Sequence, residues 1–408
     1  MHEQRIVNTT TDYAPWVERL TEELKRGGAI RTPAVEAAFR RVPRHRFLER
    51  IYQRGSGDPG ALLEPAAPWS ELAIDPERPT PEQLERIYAN AALPTRLAGG
   101  SATSSTSEPG LMAFMLEALQ IEPGMQVLEI GAGTGYNAAL LSELTGENGC
   151  VKSIDLQPDV AEQAQRLLDR WRPGRVTVLT RDGFEGAAEL APFDRIVATV
   201  GCPDLSPRWL EQLRPDGFLL LPLTHGGFCP LTRVWREGTR VRGRIAGFSG
   251  FMLMQGELAT DRAAHFGRFR TPEQMKLFAE ARALPPLPGI ATLPDERNRA
   301  GSSAARGFWY FLALRDGRLF NSAASYGYGL HDEVLGDLLL DLQGNRVLLA
   351  GDEALYEQLL TLHADWQAAG APGLDAYRLE FTPRGEQAAR PGSWRIMRQL
   401  FDQWITVA

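Results

Sequence analysis

The N-terminal part of the chain carries apolar residues at helical spacing. Trp16, Leu20 and Leu24 recur every four residues, which predicts a first helix with one apolar side. Thr32 followed by Pro33 is typical of an N-cap residue and the first helical position, so a second helix is expected to begin there. We therefore expect a small helical region at the start of the chain.

A different pattern covers the stretch from Pro123 to Pro222, where short apolar runs alternate with helical segments. The strand candidates are Val127–Ile130, Val151–Ile154, Val176–Leu179, Arg195–Thr199 and Phe218–Leu221. Regular alternation of strands and helices predicts an α/β fold with a parallel sheet.

The last hundred residues contain strand and helix patterns without a chemical motif. Strand-like runs occur at Phe308–Arg315 and within Asp337–Gly351, where a Gly-Asn pair signals a turn, and Tyr377–Phe381 predicts a further strand. Helices are expected at Glu353–Ala369 and, as a terminal amphipathic helix, at Arg395–Val407. Together these elements predict a compact α+β module.

Changes in composition suggest where the domains meet. Pro, Gly and acidic residues are dense from 55 to 81, which predicts a long surface loop, and Pro-rich sequence from 283 to 294 predicts a linker. The expected organisation is a helical region with a Pro-rich insertion at 1–90, an α/β domain at 91–258, a linker at 259–306 and a smaller α+β domain at 307–408.

Composition and charge exclude several classes of protein. With 43% hydrophobic and 23% charged residues the chain is typical of a folded soluble protein, and its net charge of -7 makes nucleic acid an unexpected partner. The N-terminus lacks a signal-peptide pattern, and no apolar run is long enough to span a bilayer. Three cysteines without a CxxC pair predict neither a metal site nor a disulfide framework, so we expect a cytoplasmic protein without a metal.

The most informative motif is VLEIGAGTGY, Val127–Tyr136, in which a strand runs into a glycine-rich turn. Glycine allows the backbone to approach a ligand closely. The glycines are Gly131, Gly133 and Gly135, whereas a dinucleotide fingerprint needs glycine at the position of Tyr136. The motif therefore weakens the hypothesis of a dinucleotide site. By itself it is equally consistent with a ligand-binding turn and with a purely structural turn.

Two acidic residues follow at strand ends and change that balance. Asp155 comes about 20 residues after the glycine turn. At that position a carboxylate can accept hydrogen bonds from both hydroxyls of an adenosine ribose. Asp182, followed by Gly183, comes one strand later, and its carboxylate can accept a hydrogen bond from the amino group of an adenine. The structural alternatives are a helix N-cap for Asp155 and a simple turn for the Asp-Gly pair.

Taken together, the glycine turn and the two acidic positions resemble a Rossmann-like class I methyltransferase that uses S-adenosylmethionine and releases S-adenosylhomocysteine. Three flanking segments narrow the resemblance to the protein-L-isoaspartate O-methyltransferase family: RGGAIRTPAVEAAFRRVPRHRF, YANAALPT and TSEPGLMAFMLEAL. The similarity covers roughly residues 24–222, so everything beyond about residue 258 lies outside it.

The resemblance implies roles for individual residues. In this family a serine in a TxSxP-like loop binds the substrate carboxylate, and Ser107, preceded by Thr106, occupies that position; the alternative is that Ser107 only caps the following helix. The donor-binding positions fall on Met112, Glu129, Gly131, Gly133, Gly135, Asp155, Leu156, Asp182 and Gly183. Met112 and Leu156 are explained equally well as core residues.

An ionised carboxylate needs orientation rather than a general base, which suits a site built on a hydroxyl and a helix N-terminus. Two departures from the family pattern bear on the acceptor: Glu108 follows the serine, and Asn90 replaces the usual acidic residue. His225 at a strand end is a further candidate to line the site, although a loop histidine is more often structural.

Two kinds of acceptor fit such a site: isoaspartyl residues of aged proteins, or a chosen aspartate of a dedicated ribosomally made peptide whose ester closes to an aspartimide. The expected partner is thus a peptide or protein carrying Asp or isoAsp. The C-terminal module favours the dedicated peptide because it offers additional surface, including edge strands, although dimerisation or stabilisation explains the module equally well. A methyltransferase of small molecules is the remaining alternative, disfavoured by the absence of a base near Ser107.

Overall fold

The structure is a computed structural model that describes residues 12–54, 68–260, 268–269, 275–290, 304–322, 327–341, 344–386 and 391–408. Nine α-helices occur in these ranges: α1 Ala14–Arg26, α2 Pro33–Arg41, α3 Pro81–Ile87, α4 Pro109–Leu119, α5 Tyr136–Thr145, α6 Pro158–Trp171, α7 Pro207–Glu211, α8 Ala304–Arg315 and α9 Glu353–Ala368. None of the described helices is long and apolar enough to cross a membrane.

A ten-stranded sheet forms the centre of the molecule, in the order β19-β20-β18-β11-β10-β9-β8-β5-β6-β7. Its first part along the chain consists of β5 Gln126–Ile130, β6 Cys150–Asp155, β7 Val176–Thr180, β8 Phe193–Ala198 and β9 Leu213–Pro222. These five strands pair in parallel, which confirms the predicted α/β fold class. Because β5 is central and β6 and β8 flank it, the loops after these strands meet at one edge of the sheet.

Antiparallel strands extend this sheet on one side. They are β10 Pro230–Glu237, β11 Arg240–Phe248, β18 Tyr377–Pro383, β19 Trp394–Met397 and β20 Phe401–Val407. Strand β11 pairs with β18, and β18 pairs with β20. Strands from both sides of the predicted linker therefore share one sheet.

Two predicted C-terminal elements are wrong. The run Phe308–Arg315 lies within the buried helix α8, because a short, wholly apolar run fits a buried helix as well as a strand. Arg395–Val407 forms β19 and β20 instead of a helix. Ile396, Leu400 and Trp404 recur at helical spacing, which explains the wrong prediction. The segment forms strands because β20 pairs with β18, β19 pairs with β20, and the residues at the chain end favour strands. The other three predicted elements of this region are confirmed by β16, β17, α9 and β18.

A second, six-stranded sheet follows the order β12-β14-β15-β16-β17-β13. Its strands are β12 Arg268–Phe269, β13 Arg282–Leu284, β14 Leu319–Ser322, β15 Gly327–Asp332, β16 Gly336–Asp341 and β17 Arg346–Gly351. Apolar side chains from this sheet, from α8 and from the ten-stranded sheet belong to one hydrophobic core that includes Phe308, Leu338 and Leu219. The C-terminal elements are thereby packed against the parallel sheet.

The N-terminal helices pack on the other face of the parallel strands, in a second core that contains Leu20, Phe39 and Val127. Thr32 accepts a hydrogen bond from the amide of Val35 and so caps α2 as predicted. Within the predicted loop 55–81, residues 69–73 form strand β2 Trp69–Ala73, paired with β1 Arg50–Arg54, and residues 55–67 lie outside the described ranges. A further hairpin joins β3 Leu93–Ala98 to β4 Ser101–Thr106.

Candidate active site

The glycine turn follows β5 at the carboxyl edge of the sheet, and its backbone requires glycine. Gly131, Gly133 and Gly135 have φ values of 103°, 54° and 83°, in the region that side chains rarely adopt. A Cβ atom at Gly131 would lie 2.7 Å from Oγ1 of Thr199, and that hydroxyl donates a hydrogen bond to the Gly131 carbonyl at 2.7 Å. The turn is thus a tight cradle, supported from the loop after β8.

Asp155 ends β6 beside this cradle. One carboxylate oxygen accepts the Gly133 amide at 3.0 Å and the other accepts the Gln157 amide at 3.1 Å. These two bonds fix the plane of the carboxylate and leave acceptor capacity on both oxygens. Burial raises the pKa of the Asp155 carboxyl. The helix N-cap is Gln157, so the proposed capping role of Asp155 is replaced by a bond to that residue's amide.

Glu129, at the end of β5, is fully buried. Its carboxylate accepts hydrogen bonds from Nδ2 of Asn137 at 2.6 Å and from Oγ of Ser153 at 2.5 Å. Burial raises the pKa of Glu129 to about 7. The structure therefore gives Glu129 one role that the sequence did not suggest, which is to anchor the start of α5 to β6, while direct contact with the donor stays a prediction.

The Asp182–Gly183 turn follows β7 and is held by a segment that carried no sequence signal. Asp182 accepts the Phe184 amide at 2.9 Å and the Glu257 amide at 2.8 Å. A Cβ atom at Gly183 would lie 2.9 Å from Cε of Met254. The buried Trp209 donates its indole N–H to the Gly183 carbonyl at 2.8 Å. Residues 254–257 thus lie against this side of the site, although no motif marks them.

Ser107 lies two residues before α4, and the structure shows which residue caps that helix. The amide of Gly110, in the first turn, donates to Oδ1 of Asn90 at 2.8 Å, and the N-cap residue is Glu108, whose own side chain makes no capping bond. The alternative role of Ser107 as the helix cap is therefore taken by Asn90. In the part of the chain that the structure describes, the half-buried Ser107 hydroxyl has no hydrogen-bond partner.

Arg44 is a buried residue that organises this loop and that sequence reasoning missed. Its guanidinium donates to the carbonyls of Ile87, Ala89, Ala91 and Ser107 at 2.7 to 3.1 Å. Complete burial lowers the pKa of Arg44 to about 10. The signal was present in the quoted segment RVPRHRF, but only tertiary contacts reveal that this arginine binds carbonyls on both sides of the β3–β4 hairpin.

The β3–β4 hairpin brings the serine loop to the glycine cradle. The Ser105 carbonyl would lie 3.2 Å from a Cβ atom at Gly133, and the Thr103 carbonyl accepts Nε2 of Gln157 at 3.2 Å. Thr106 is 2% exposed, and its hydroxyl has no hydrogen-bond partner among the described residues. An unpaired buried hydroxyl costs about 1–3 kcal/mol, which a bound acceptor would recover.

Three other predicted residues lie at the margins of the candidate active site. Met112 is buried inside α4, with 4% exposure, whereas Leu156 is 38% exposed directly after Asp155. His225 contacts the Ala313 carbonyl on α8 at 2.8 Å through Nε2, which assigns it to the contact between β9's end and the C-terminal region. The structure thus brings together the glycine turn, Asp155, the Asp182 turn and the Ser107 loop.

These groups fit S-adenosylmethionine. The glycine turn has no side chains, so the amino-acid portion of the donor can approach its backbone closely. The oriented carboxylate of Asp155 is suited to bind the ribose hydroxyls, and the Asp182–Gly183 turn is suited to bind the adenine.

Comparison with known proteins agrees with this geometry. The family model for protein-L-isoaspartate(D-aspartate) O-methyltransferase matches residues 72–247. The protein-L-isoaspartate O-methyltransferase of Methanopyrus kandleri is 33% identical over 246 residues, which cover 59% of this chain and 91% of that protein. The enzyme of the same name from Pyrococcus horikoshii is 33% identical over 211 residues, covering 52% of this chain and 78% of that protein.

A solved structure titled protein-L-isoaspartate O-methyltransferase has the same fold, with a TM-score of 0.51 and 24% identity over 89% of this chain and 96% of that chain. Sequence, site and fold lead to one assignment. The chain belongs to the protein-L-isoaspartate O-methyltransferase family, and it is an enzyme that uses S-adenosylmethionine as its methyl donor.

Proposed function

We propose that the chain methylates the free α-carboxylate that an L-isoaspartyl residue presents within a protein. The observation that carries the proposal is the Ser107 hydroxyl, which has no hydrogen-bond partner among the described residues. It lies two residues before a helix whose first turn is capped by Asn90, and it follows the hairpin that contacts the glycine cradle through Ser105. A hydroxyl and the positive end of a helix are suited to orient a carboxylate.

In this proposal each residue contributes position rather than proton transfer. Ser107 donates its O–H to one carboxylate oxygen, and Arg44 fixes the Ser107 backbone through its carbonyl. When bound, S-adenosylmethionine supplies a sulfonium methyl group: a carboxylate oxygen forms the O–CH3 bond, the S–CH3 bond breaks, and S-adenosylhomocysteine leaves. The carboxylate is already ionised near neutral pH, so no base is required.

The ester has a defined further chemistry. Methylation replaces a poor leaving group by methoxide, so the next backbone amide nitrogen can attack the ester carbonyl and close a succinimide with loss of methanol. This step needs no additional residue of the enzyme.

Two acceptors remain, and we favour general L-isoaspartyl residues over a dedicated peptide. The preference for a dedicated peptide rested on the C-terminal module, yet the fold likeness to the solved methyltransferase extends over 89% of this chain, too much to be confined to residues 1–258. The C-terminal elements therefore no longer favour one acceptor. The observation that keeps the dedicated peptide as a second candidate is Glu108, a carboxylate next to the carboxylate-orienting serine.

The test is mass spectrometry of an isoaspartyl peptide and its aspartyl twin, each incubated with the enzyme and S-adenosylmethionine. Methyl ester and then succinimide on the isoaspartyl peptide alone is the expected result. Reaction of neither peptide by an enzyme that still binds the donor would contradict general isoaspartyl specificity and support the dedicated peptide. Reaction of the aspartyl twin alone would also contradict it.

A further inference from the structure

The loop that follows β8 connects the glycine turn with the C-terminal part of the chain. We call residues 199–204 the β8 loop. At its start, Thr199 donates its backbone N–H to the Ile130 carbonyl at 2.9 Å and its hydroxyl to the Gly131 carbonyl at 2.7 Å. Because the Gly131 carbonyl belongs to the glycine turn, the position of that turn depends on where the β8 loop lies.

The middle of the β8 loop holds the segment that lies against the Asp182–Gly183 turn. Gly201 donates its N–H to the Met252 carbonyl at 2.8 Å, and its own carbonyl accepts the Met254 N–H at 2.9 Å. These two bonds make a parallel β-bridge. Three residues further along, the Glu257 amide donates to the carboxylate of the Asp182–Gly183 turn at 2.8 Å. One loop therefore supports both the glycine turn and the turn assigned to the adenine.

The end of the β8 loop is bound by a segment that follows 195 residues later in the chain. Nη1 of Arg398 donates to the Pro203 carbonyl at 2.5 Å. Oδ2 of Asp204 accepts the Leu400 amide at 2.5 Å and the Phe401 amide at 3.3 Å. We call Arg398, Leu400 and Phe401, together with their partners Pro203 and Asp204, the C-terminal clamp.

The C-terminal clamp is buried and its guanidinium is fixed from several sides. Arg398 is 3% exposed and Asp204 is 0% exposed. Nε and Nη2 of Arg398 both donate to Oε1 of Gln403, and Nη1 also donates to the Thr224 carbonyl at 3.0 Å. Leaving a buried charged group without its partners is strongly unfavourable. The end of the β8 loop therefore cannot move away from this segment without a large loss of stability.

We propose that the C-terminal clamp positions the donor site: Arg398 and Asp204 hold the β8 loop, and this loop holds the glycine turn and residues 252–257 in the geometry that binds the donor. A binding site keeps its affinity only when the surrounding groups hold it within about 0.5 Å of the required geometry. Arg398 and Asp204 are positioning residues, because they act through the loop. The proposal goes beyond the acceptor chosen in the proposed function and does not depend on it.

The first arm of the test is isothermal titration of clamp variants with S-adenosylhomocysteine. Arg398→Met removes the bond to the Pro203 carbonyl, and we expect the Kd to rise about tenfold, a common size for coupling between separate sites. Arg398→Lys should raise the Kd less, because the ammonium keeps the charge and can still reach one carbonyl. Asp204→Asn, of nearly equal size, weakens the clamp from the other side and should also raise the Kd about tenfold.

The matched control is Leu339→Ala in the six-stranded sheet. Leu339 is 2% exposed and belongs to a core cluster separate from the one that contains Cys202 of the β8 loop. This change creates a cavity and lowers the stability of the protein, as Arg398→Met does, without touching the clamp. Its Kd for S-adenosylhomocysteine should equal that of the unchanged enzyme. An equal rise in Leu339→Ala and in the clamp variants would overturn the proposal in favour of a general loss of stability.

An unchanged Kd in folded Arg398→Met would also overturn the proposal. If Arg398→Met does not fold, Asp204→Asn and Arg398→Lys decide in its place, and an unchanged Kd in both of them has the same meaning.

Hydrogen exchange followed by mass spectrometry locates the effect within the chain. In Asp204→Asn, residues 199–204 and 252–257 should exchange at least about tenfold faster than in the unchanged enzyme, whereas Leu339→Ala should leave both segments unchanged. Coupling between sites is reciprocal, so saturating S-adenosylhomocysteine should slow exchange at residues 398–403 of the unchanged enzyme. Exchange at these three segments that responds to neither change would contradict the clamp. If no isoaspartyl peptide is methylated but the predicted pattern holds, the proposed function fails and the C-terminal clamp stands.

Discussion

The two halves of the large sheet differ in what their surfaces carry. In the parallel half, consecutive residues such as Val127 and Leu128 belong to opposite cores, so both faces are buried, and the glycine turn, Asp155 and the Asp182 turn lie at the ends of its strands. In the antiparallel half the face of Val234 and Leu379 is buried, whereas the opposite face is only partly covered and carries Arg233, Arg244 and Arg378 side by side. The comparison teaches that the fold places the candidate active site at the edge of the parallel half and a charged surface on a face of the antiparallel half.

A buried polar network joins the two halves, and breaking it tests whether they fold as one unit. Arg398, before β20, donates to the carbonyls of Pro203 at 2.5 Å and Thr224 at 3.0 Å, and Asp204 accepts the amides of Leu400 and Phe401. Arg398→Met leaves the Pro203 and Thr224 carbonyls unpaired and removes the positive charge near the buried Asp204, so we expect the free energy of unfolding to fall by about 3–5 kcal/mol. Urea denaturation followed by fluorescence and circular dichroism measures this.

The control for that variant is Arg282→Met, which removes an ion pair with Glu353 that is exposed on both sides and should cost less. Coincident single transitions are expected in both variants. Two separated transitions in the unchanged protein would show that the halves unfold independently, contrary to the account of one shared sheet.

The parallel half is tested most strongly at Asp155. Asp155→Ala removes the carboxylate assigned to the ribose hydroxyls, and we expect donor binding to weaken about 10–100-fold, since a hydrogen bond to a charged group contributes about 1.5–3 kcal/mol. Isothermal titration with S-adenosylhomocysteine measures the Kd. Asp159→Ala, which removes an exposed acid in the first turn of α6 that is paired with Arg96, should leave the Kd unchanged.

Burial of Glu129 predicts a pH dependence of stability. Its folded pKa of about 7 lies above the ordinary value of 4.5, so the folded state binds more protons between these values, and this group's contribution to stability falls as pH rises through that window. The full difference amounts to about 3 kcal/mol. Urea denaturation at several pH values should show that Glu129→Gln lacks this part of the slope; an identical slope in both proteins would contradict the assignment.

Ser107→Ala should lower kcat about tenfold while the Kd for the donor stays unchanged, because one hydrogen bond to the acceptor carboxylate is lost. Steady-state kinetics with an isoaspartyl peptide and donor titration separate the two effects. Ser101→Ala, in an exposed position of the same hairpin, serves as the control. Unchanged kcat in Ser107→Ala would remove this residue from the proposed mechanism.

The smallest effect is expected at Asn90. Asn90→Ala removes the side chain that caps the Gly110 amide, so the free energy of unfolding should fall by about 1 kcal/mol. Thermal or urea denaturation measures the change. If instead Ser107 takes over the cap, stability would be nearly unchanged and kcat would fall.

The sequence predicted the parallel half well because its signals are local. Each buried strand is a short apolar run, and the glycines of the turn need positive φ values that few other residues adopt. The positions of the glycine turn, Asp155 and Asp182 at one edge follow from strand order alone.

The remainder depends on contacts distant in sequence. Arg398 reaches Pro203 across 195 residues, and Glu257 reaches Asp182 across 75, so no local pattern announces either contact. The same reason explains why β19 and β20 were predicted as a helix: pairing of β20 with β18 and of β19 with β20 decided their conformation. Arg44 stood in a quoted motif, but its four carbonyl partners became visible only in the fold.

The central claim is that the edge of the parallel half esterifies an isoaspartyl carboxylate. The most direct measurement is tandem mass spectrometry of an isoaspartyl peptide after incubation with the enzyme and S-adenosylmethionine that carries a deuterated methyl group. We predict the labelled methyl group as an ester on the isoaspartyl carboxylate, absent with Asp155→Ala at low donor concentration. A labelled methyl group on any other atom, or no label while the donor binds normally, would contradict the account.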